Sequence, residues 1–432
     1  MAHDKLCIAI NAQLQPNSGA GGVESVLIGL ISSLGKLDDG PEEYYIIAAW
    51  NHPDWLKPYM GRNQHIVTRP GPYRNTPLIK RFFSSLYSPL LSARKLSAAV
   101  IPSLNPGNWP EIPLSNGFYE SLGCQVIHFP YQQYVLCSIP SVFNPHDLQH
   151  LHFPQFFTPQ IIAWREAIYP KACHLAHTVV TGSSWVKQDI IEHYRVFPDK
   201  IQVIPWAPPT QAYQEPADEM LKNILSKYSL PEKFALYPAV TWEHKNHLRL
   251  IDGLAYLRDS ENLVVHLVCT GDRHKRFWPR VEERIETLHM HDQVHFLDRI
   301  PSDDLRALYR LADFVIVPTL FEAASGPVFE AWEEGTPVAC SNVTSLPEQV
   351  GNASLLFDPY SVTEITNAIR KMASDEALRS QLSENGKRRL KDFSWERTAK
   401  TYRAVYRKAA RKELSEEDKW LLSWDWMKNP EK

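Results

Sequence analysis

The stretch 313-DFVIVPTLFEAASGPVFEAW-332 joins a short apolar run to a helix-forming segment through a loop. Residues 313–319 are mostly apolar and rich in valine and isoleucine, which favours a fully buried strand of a parallel sheet. A helix is predicted to follow, with Ser325 or Gly326 as its N-cap and Pro327 at the first helical position. The stretch therefore predicts a strand–loop–helix unit of an α/β fold.

Two glutamates flank the start of this helix. We predict that Glu322 lies in the loop and that Glu330 lies within the first helical turn. The free N–H groups and the dipole of the helix N-terminus between them favour an anion, most naturally a phosphate. Since carboxylates are poor phosphate ligands, we interpret them as acceptors for hydroxyl pairs on either side of a phosphate, the layout of a nucleoside diphosphate sugar. The alternative is that Glu330 is favoured by the helix dipole and that Glu322 is a solvated loop residue.

Short apolar runs alternate with helical patterns along both halves of the chain. Such alternation indicates parallel sheets with right-handed crossovers, and two series indicate two doubly wound α/β domains. The predicted strands are 5–12, 44–50, 125–129, 141–144 and 178–182 in the first half, and 233–240, 263–270, 294–297, 313–318 and 337–341 in the second.

The proline-rich stretch 204-IPWAPPTQAYQEPADE-219 has the composition of a linker. We therefore predict an N-terminal domain over 1–205, a linker over 206–230 and a C-terminal domain over 231–393. The remaining segment, 394–432, is helical in pattern and rich in tryptophan. We expect it to cross back to the N-terminal domain.

Composition narrows the classes of function. The chain has 432 residues and a net charge of −3, which argues against nucleic acid as a partner. Six scattered cysteines without a C-x-x-C pair indicate reduced thiols and a cytoplasmic protein. No apolar run reaches the length of a spanning helix. The segment 70–113 mixes basic and aromatic residues with prolines, and three alternatives stay open for it: an acceptor site, a peripheral membrane contact or an irregular insertion.

Two further strand-to-helix turns carry groups suited to an anion. In 18-SGAGGVESVLIGL-30, Gly21 and Gly22 would let backbone N–H groups approach a ligand closely, although a simple turn is the alternative. In 240-VTWEHKNH-247, Lys245 is placed to meet a phosphate as a point charge, the alternative being a solvated lysine.

The stretch 143-FNPHDLQHLHF-153 is unusually rich in histidine. His146, Asp147, His150 and His152 invite a metal site, but no second cluster in the sequence supplies the missing ligands. We therefore predict no metal. His146, after the strand 141–144, is instead predicted to project into the crevice where open α/β sheets bind ligands. His128 is predicted to be a core histidine.

With these residues assembled, the chain resembles the retaining glycosyltransferases of family 4, a group with the GT-B fold of two Rossmann-like domains facing a cleft. The similarity covers most of the chain and includes 146-HDLQH-150, 179-VVTGSSWVKQDI-190 and 240-VTWEHKNH-247. Glu322 and Glu330 match the E-x7-E motif of that family.

The resemblance implies a role for each matching residue. Glu330 would accept from the ribose hydroxyls, Glu322 would lie by the donor hexose, Lys245 would bind phosphate, and His146 would lie beside the reacting anomeric carbon. The amides around Gly326, Pro327 and Val328 would line the diphosphate and sugar pocket.

One position departs from the family pattern. Many members carry an arginine five residues before the phosphate-binding lysine, whereas this chain has Val240 there. We expect Arg273 or Lys275, from the cationic stretch 271-GDRHKR-276, to take its place.

The resemblance implies a retaining hexosyltransferase that uses a nucleotide diphosphate sugar as donor and a carbohydrate or other hydroxyl as acceptor, without a metal or cofactor. Mannosyl- and glucosyltransferases belong to this group. Two alternatives stay open: a non-hydrolysing sugar-nucleotide epimerase and a non-catalytic nucleotide-sugar-binding protein. The donor base, the sugar, the acceptor and the oligomeric state are not predicted.

Overall fold

The computed structural model describes residues 5–15, 22–69, 112–208 and 215–425. Within them the chain forms two parallel sheets, each built from one half of the sequence. The first sheet has seven strands and the second has six. This is the doubly wound α/β architecture that the alternation predicts.

The first sheet has the strand order β3-β2-β1-β4-β5-β6-β7. Every neighbouring pair is parallel, and Ala9 at the centre of β1 pairs with Tyr45 on one side and Ile127 on the other. Its strands are β1 (Leu6–Ala12), β2 (Glu42–Ala48), β3 (Gln64–Thr68), β4 (Val126–Phe129), β5 (Ser141–Phe143), β6 (Thr178–Thr181) and β7 (Ile201–Val203).

The second sheet has the order β10-β9-β8-β11-β12-β13 and is also parallel throughout. Its central strands are fully buried apolar runs, as expected for a sheet with helices on both faces. The strands are β8 (Ala235–Pro238), β9 (Leu267–Thr270), β10 (Val294–Phe296), β11 (Phe314–Val317), β12 (Val338–Ser341) and β13 (Leu355–Phe357).

Helices connect the strands. Those of the first half are α1 (Gly22–Leu34), α2 (Phe118–Ser121), α3 (Gln149–His152), α4 (Pro159–Leu175) and α5 (Ser184–Tyr194). The second half contains α6 (Asp218–Lys227), α7 (His247–Glu261), α8 (Trp278–Thr287), α9 (Ser302–Leu311), α10 (Gly326–Glu333), α11 (Leu346–Val350), α12 (Val362–Ser374), α13 (Glu376–Leu390), α14 (Trp395–Ala409) and α15 (Glu416–Ser423).

Helix α14 follows the second sheet in sequence but packs against α1 of the first. The contact is close: a Cβ on Gly29 would lie 2.1 Å from the ring of Trp395, so only glycine leaves room for the indole. Ion pairs also join α14 to β2 and to α15, since Arg407 contacts Glu42 at 2.7 Å and Asp418 at 2.9 Å. The C-terminal helices are thus anchored on the first sheet's unit.

None of the helices described above is both long enough and apolar enough to cross a bilayer. Residues 70–111 of the segment 70–113, for which a membrane contact was one alternative, lie outside the described residues, as do Gly21 and residues 426–432 of the tryptophan-rich segment.

Candidate functional site at the carboxyl end of the second sheet

The loop between β11 and α10 carries Glu322, and two hydroxyls fix its backbone. The side chains of Thr344 and Ser345 donate to the Glu322 carbonyl oxygen at 2.6 Å and 2.7 Å. The Glu322 N–H donates to the Thr344 hydroxyl at 3.0 Å. The loop therefore presents the Glu322 carboxylate from a fixed position at the carboxyl end of the sheet, where ligands of open α/β sheets bind.

The residue before α10 is clamped on both sides. The Gln349 side chain accepts from the Ser325 N–H at 2.8 Å and donates to the Ser325 carbonyl at 2.9 Å. Helix α10 begins at Gly326 with Ser325 as its N-cap, so Pro327 is the second helical residue and not, as was predicted, the first. The N–H groups of Gly326 and Val328 belong to the first turn, where a helix offers no partner of its own. A pair of amides is thus held ready for an anion.

Glu330 is the fifth residue of α10 and lies beyond the first turn, so the prediction of a first-turn position is wrong. The Tyr309 hydroxyl donates to Glu330 Oε2 at 2.6 Å. Burial raises the pKa of the Glu330 carboxyl above its ordinary value, although the Tyr309 hydrogen bond lowers it. The helix dipole acts mainly within the first turn, so it gives a weak account of this buried carboxylate.

Lys245 ends the short 3-10 turn Glu243–Lys245 that follows β8. The next residue, Asn246, has a φ of 64°, a left-handed conformation that asparagine tolerates better than most residues. Its buried amide donates to the Pro318 carbonyl at 2.9 Å and the Pro359 carbonyl at 2.8 Å. Asn246 thus ties the Lys245 turn to the end of the strand that leads into the Glu322 loop.

Lys245 and Glu322 form an ion pair through Nζ and Oε1. The side chains are 21% and 12% exposed. The two residues were predicted on separate grounds, as a phosphate ligand and a sugar ligand, and the fold brings them into direct contact. An incoming phosphate would compete with Glu322 for the lysine.

Arg273 pairs with a carboxylate other than Glu322. Its guanidinium contacts Asp298 at 2.5 Å and lies 4.3 Å from the ring centroid of Trp278. Nearby, Gly271 has a φ of 114°, and a Cβ there would lie 2.8 Å from the backbone of Val240. The loops after β8 and β9 therefore touch at Val240, while Arg273 is engaged with Asp298.

His146 follows β5 in a strained turn. Its φ is 66°, and a hydrogen bond of 2.9 Å from the Asp147 N–H to the Pro145 carbonyl closes a three-residue turn around it. The ring Nε2 lies 2.8 Å from the Pro130 carbonyl, which can only accept, so Nε2 carries the proton. Nδ1 is then an acceptor, and it is buried without a partner in the part of the chain that the structure describes. Burial lowers the pKa of His146, which keeps the ring neutral.

The other predicted histidines do not join His146. His150 Nε2 lies 2.8 Å from Glu166, and His152 Nε2 lies 2.8 Å from Asp189. His128 is fully buried and contacts Asn144 at 2.9 Å. It is a core histidine, as predicted.

The two sheets' units meet beside the site. The Glu348 carboxylate of α11 accepts from the Ser184 and Trp185 N–H groups at 2.6 Å and 2.9 Å, so it caps the N-terminus of α5 across the interface. Burial raises the pKa of Glu348 above its ordinary value. The small cleft at this contact is lined from both units by Gly182, Ser183, Pro205, Trp206, Ala323, Ala324, Phe329, Ser345, Glu348, Gln349 and Phe393. The ring centroid of Trp206 lies 5.3 Å from that of His146, which brings the His146 turn to the same cleft.

Four residues that hold the site were not predicted: Tyr309, Asn246, Gln349 and Glu348. The structural role of Asn246 could have been predicted, because an asparagine directly before a helix often adopts a left-handed or capping conformation. The other three act across long sequence separations, and their types are common on helix surfaces. The glycine-rich turn is described only from Gly22, the first residue of α1; Gly21 lies outside the described residues.

The chain matches the sequence models of two protein families. Residues 20–207 match "Glycosyltransferase Family 4", and residues 223–389 match "Glycosyl transferases group 1". Each match covers the unit built on one of the two sheets, so together they account for most of the chain.

Curated relatives match at lower identity over part of their length. O-antigen chain mannosyltransferase B of Escherichia coli is 28% identical over 255 residues, which is 58% of this chain and 66% of that protein. MMP alpha-(1->4)-mannosyltransferase of Mycolicibacterium hassiacum is 28% identical over 235 residues, 54% of each chain. The chain thus spans just under two thirds of the length of one relative and about half of the other.

Solved structures share the fold over nearly the whole chain. Sucrose-phosphate synthase of Thermosynechococcus elongatus superposes with a TM-score of 0.66 at 20% identity, covering 94% of this chain and 99% of that one. Anabaena HepE, solved in complex with UDP and glucose, gives a TM-score of 0.65 at 17% identity, covering 93% and 100%. The two-sheet architecture is the GT-B fold. With both halves matched to the same group of proteins, the chain belongs to glycosyltransferase family 4.

Proposed function

We propose that this protein transfers a hexose from a nucleotide diphosphate sugar to a hydroxyl acceptor with retention of anomeric configuration. The observation that carries the proposal is the arrangement at the start of α10. There the first-turn amides of Gly326 and Val328 lie in sequence between Glu322 and Glu330, and Lys245 contacts Glu322. This order of groups suits a diphosphate with a ribose on one side and a hexose on the other.

In this proposal the leaving diphosphate is stabilised by groups of the protein. Lys245 exchanges its Glu322 partner for a phosphate oxygen. The first-turn N–H groups of α10 donate hydrogen bonds to the oxygens on which negative charge develops. Fixed charges and dipoles of this kind act without reorganisation during the reaction. The transfer therefore requires no metal ion between the enzyme and the diphosphate. Turnover is expected to persist in excess EDTA.

Glu322 and His146 act on the sugar. Released from Lys245, Glu322 can accept from hydroxyls of the donor hexose. His146 offers Nδ1, which has no partner among the described residues, as an acceptor for a sugar hydroxyl, and its neutral ring avoids placing a positive charge next to the anomeric carbon. Retention requires the acceptor oxygen to attach on the face that the diphosphate leaves. His146→Ala is expected to lower turnover about a hundredfold, the usual cost of losing one preorganised contact.

Mannose is the donor sugar that we propose first, because the two curated relatives described above are mannosyltransferases. The base of the nucleotide stays open.

We further propose that residues 1–205 form the acceptor-side domain and 231–393 the donor domain, with a linker over 206–230 and 394–432 crossing back. A cavity of about 310 Å³ in the first unit, lined by side chains that include Tyr119, Tyr134 and Trp164, offers room for an acceptor. A cytoplasmic location and a peripheral membrane contact remain predictions.

A second candidate is a nucleotide-sugar-binding protein without turnover. It is favoured by Val240, which stands where many family members have a second phosphate-binding cation, and by the engagement of Arg273 with Asp298. Such a protein would bind the donor and release no nucleotide.

A thermal-shift panel of UDP, GDP, ADP and their hexose conjugates tests donor binding. A ligand at 100 times its Kd should stabilise the protein by about 2.7 kcal/mol, so one base should stand out clearly. Glu330→Gln serves as the matched variant, because it keeps the side-chain size and weakens an acceptor for the ribose hydroxyls. If no nucleotide stabilises the wild type, both candidates are wrong.

A further inference from the structure

Three side chains of the first unit converge beside the interface between the two units. His152 ends α3, while Asp189 and His193 lie one turn apart on α5. His152 Nε2 is 2.8 Å from Asp189 Oδ1, and His193 Nδ1 is 3.1 Å from the same oxygen. The spacing of four residues places Asp189 and His193 on one face of the helix.

The geometry resembles that of a three-ligand metal site. Two ligands bound at about 2.0–2.1 Å to one tetrahedral zinc ion lie roughly 3.3 Å apart, so the two observed histidine–aspartate distances are shorter than in that arrangement by about 0.5 Å and about 0.2 Å. The two imidazole rings have centroids 5.3 Å apart and an interplanar angle of 71°, and the three candidate ligand atoms all lie within 4.8 Å of one another. Histidine and carboxylate are the ligand types that zinc accepts in sites with an open fourth position.

Asp189 provides a second, independent observation. The residue is only 4% exposed, and its Oδ2 is buried without a hydrogen-bond partner among the described residues. A buried carboxylate with one unsatisfied oxygen is costly unless a cation compensates it.

The residues around the cluster leave it open to solvent on one side and pack against it on the other. The side chains of His152 and His193 are 29% and 38% exposed, so an ion and a water molecule can reach the cluster. The rings of Trp185 and Phe321 lie 5.5 Å and 5.6 Å from the His152 ring, which makes an apolar wall on one side. His193 Nδ1 also lies 3.0 Å from the Asp189 carbonyl, a hydrogen bond that it would give up with its proton on binding a metal.

We propose that His152, Asp189 and His193 bind one zinc ion, with water at the fourth position. The sequence supplies only His152 within the histidine-rich stretch, and the fold adds two ligands from α5. Phe321, which contacts His152, precedes Glu322 of the donor loop. The ion would therefore fix α3 to α5 at the surface on which the donor loop rests, and it carries no step of the proposed transfer.

Zinc binding is measured on the metal-free full chain by competition with a chromophoric chelator. The wild type should bind one equivalent of Zn²⁺, and its melting temperature should rise when the ion is added. His193→Ala removes an exposed ligand with little risk to folding, and should weaken binding at least tenfold and abolish the thermal shift. His52→Ala, an exposed histidine of the same unit, is the matched control and should behave as the wild type.

Co²⁺ gives a second measurement on the unaltered protein. Binding by His152, Asp189, His193 and water should produce the intense visible absorption of tetrahedral cobalt. Its loss on adding Zn²⁺ would place both ions at one site. Absence of Zn²⁺ binding by the wild type, or equal binding by His193→Ala, would show that the cluster is only hydrogen-bonded. Neither result depends on catalytic activity, so the proposal can fail while the transferase proposal stands.

Discussion

The contact between Lys245 and Glu322 predicts opposite effects for the removal of each partner. Without a bound donor, the Glu322 carboxylate pairs with Lys245, the residue that we propose to bind the phosphate. Lys245→Met removes the charge while keeping an unbranched chain, and should weaken binding of a nucleoside diphosphate. Glu322→Gln removes the competitor, and should strengthen binding of the same sugar-free ligand.

The expected size follows from the ion pair. A hydrogen bond to a charged group is worth about 1.5–3 kcal/mol. The wild type must first give up the contact with Glu322, which is partly buried and worth about 1 kcal/mol, at the upper end of the range for exposed pairs. The net loss in Lys245→Met is therefore about 0.5–2 kcal/mol, or roughly a 2- to 30-fold rise in Kd. Without that competition the loss would be the full 1.5–3 kcal/mol.

Isothermal titration calorimetry with the nucleoside diphosphate selected by the thermal-shift panel measures both variants. Lys222→Met, which removes an exposed cation from α6, is the matched control and should leave Kd unchanged. Equal affinity of Lys245→Met and wild type would remove Lys245 from the site. Weaker binding of the sugar-free ligand by Glu322→Gln would refute the competition.

Three further predictions concern the carboxylate and histidine environments. Glu330→Gln should weaken nucleoside diphosphate binding with a melting temperature near that of the wild type, as calorimetry and fluorimetry can show; lost stability with intact affinity would contradict a ribose contact. His146→Ala should lower turnover about a hundredfold while the Kd of the nucleoside diphosphate stays within about threefold, because the ring is proposed to touch only the sugar; a large change in that Kd would be inconsistent with this. Burial lowers the pKa values of His128 and His247 to about 3, so each contributes stability that is complete above the unfolded value near 6.5 and is lost as the pH falls towards 3. At pH 5 each histidine should lower the free energy of unfolding by about 2 kcal/mol relative to pH 8. Urea unfolding at the two pH values should therefore show a smaller loss of stability in His247→Phe than in the wild type. Equal losses would disprove the assignment.

The fold was largely predictable from sequence because its central strands are continuous apolar runs. All ten predicted strands are present, each overlapping its predicted range. The three that were missed, β3, β7 and β13, lie at sheet edges. An edge strand pairs on one side only, and QHIVT or IQV carries too few apolar residues to stand out from a loop.

The candidate site was predictable where a residue follows directly from a strand. Lys245 and Glu322 lie in loops after strands of the second sheet and His146 lies after a strand of the first, each at the carboxyl end where open α/β sheets bind ligands. The pairing of Lys245 with Glu322, and the capping of α5 by Glu348, depend on side-chain reach across 77 and 164 residues of sequence. No local pattern encodes such contacts.

The family was confirmed, whereas the roles of individual residues remain proposals. The position of Glu330 illustrates why the role of a single residue is harder to predict than the family. Its place beyond the first turn depends on where α10 begins, and helix termini are the least predictable part of an element. The contact with Tyr309 then depends on packing between α9 and α10.

Proton NMR of the protein with a nucleotide sugar tests the central claim most directly, even before the acceptor is known. Water should act as a slow substitute acceptor, so the selected α-linked donor should give nucleoside diphosphate and free hexose. Retention predicts that the α-anomer of the hexose appears first, ahead of its equilibration in solution, and that EDTA does not prevent this. A β-anomer appearing first, a new isomer of the intact nucleotide sugar, or no turnover with any donor that binds would contradict a retaining glycosyltransferase.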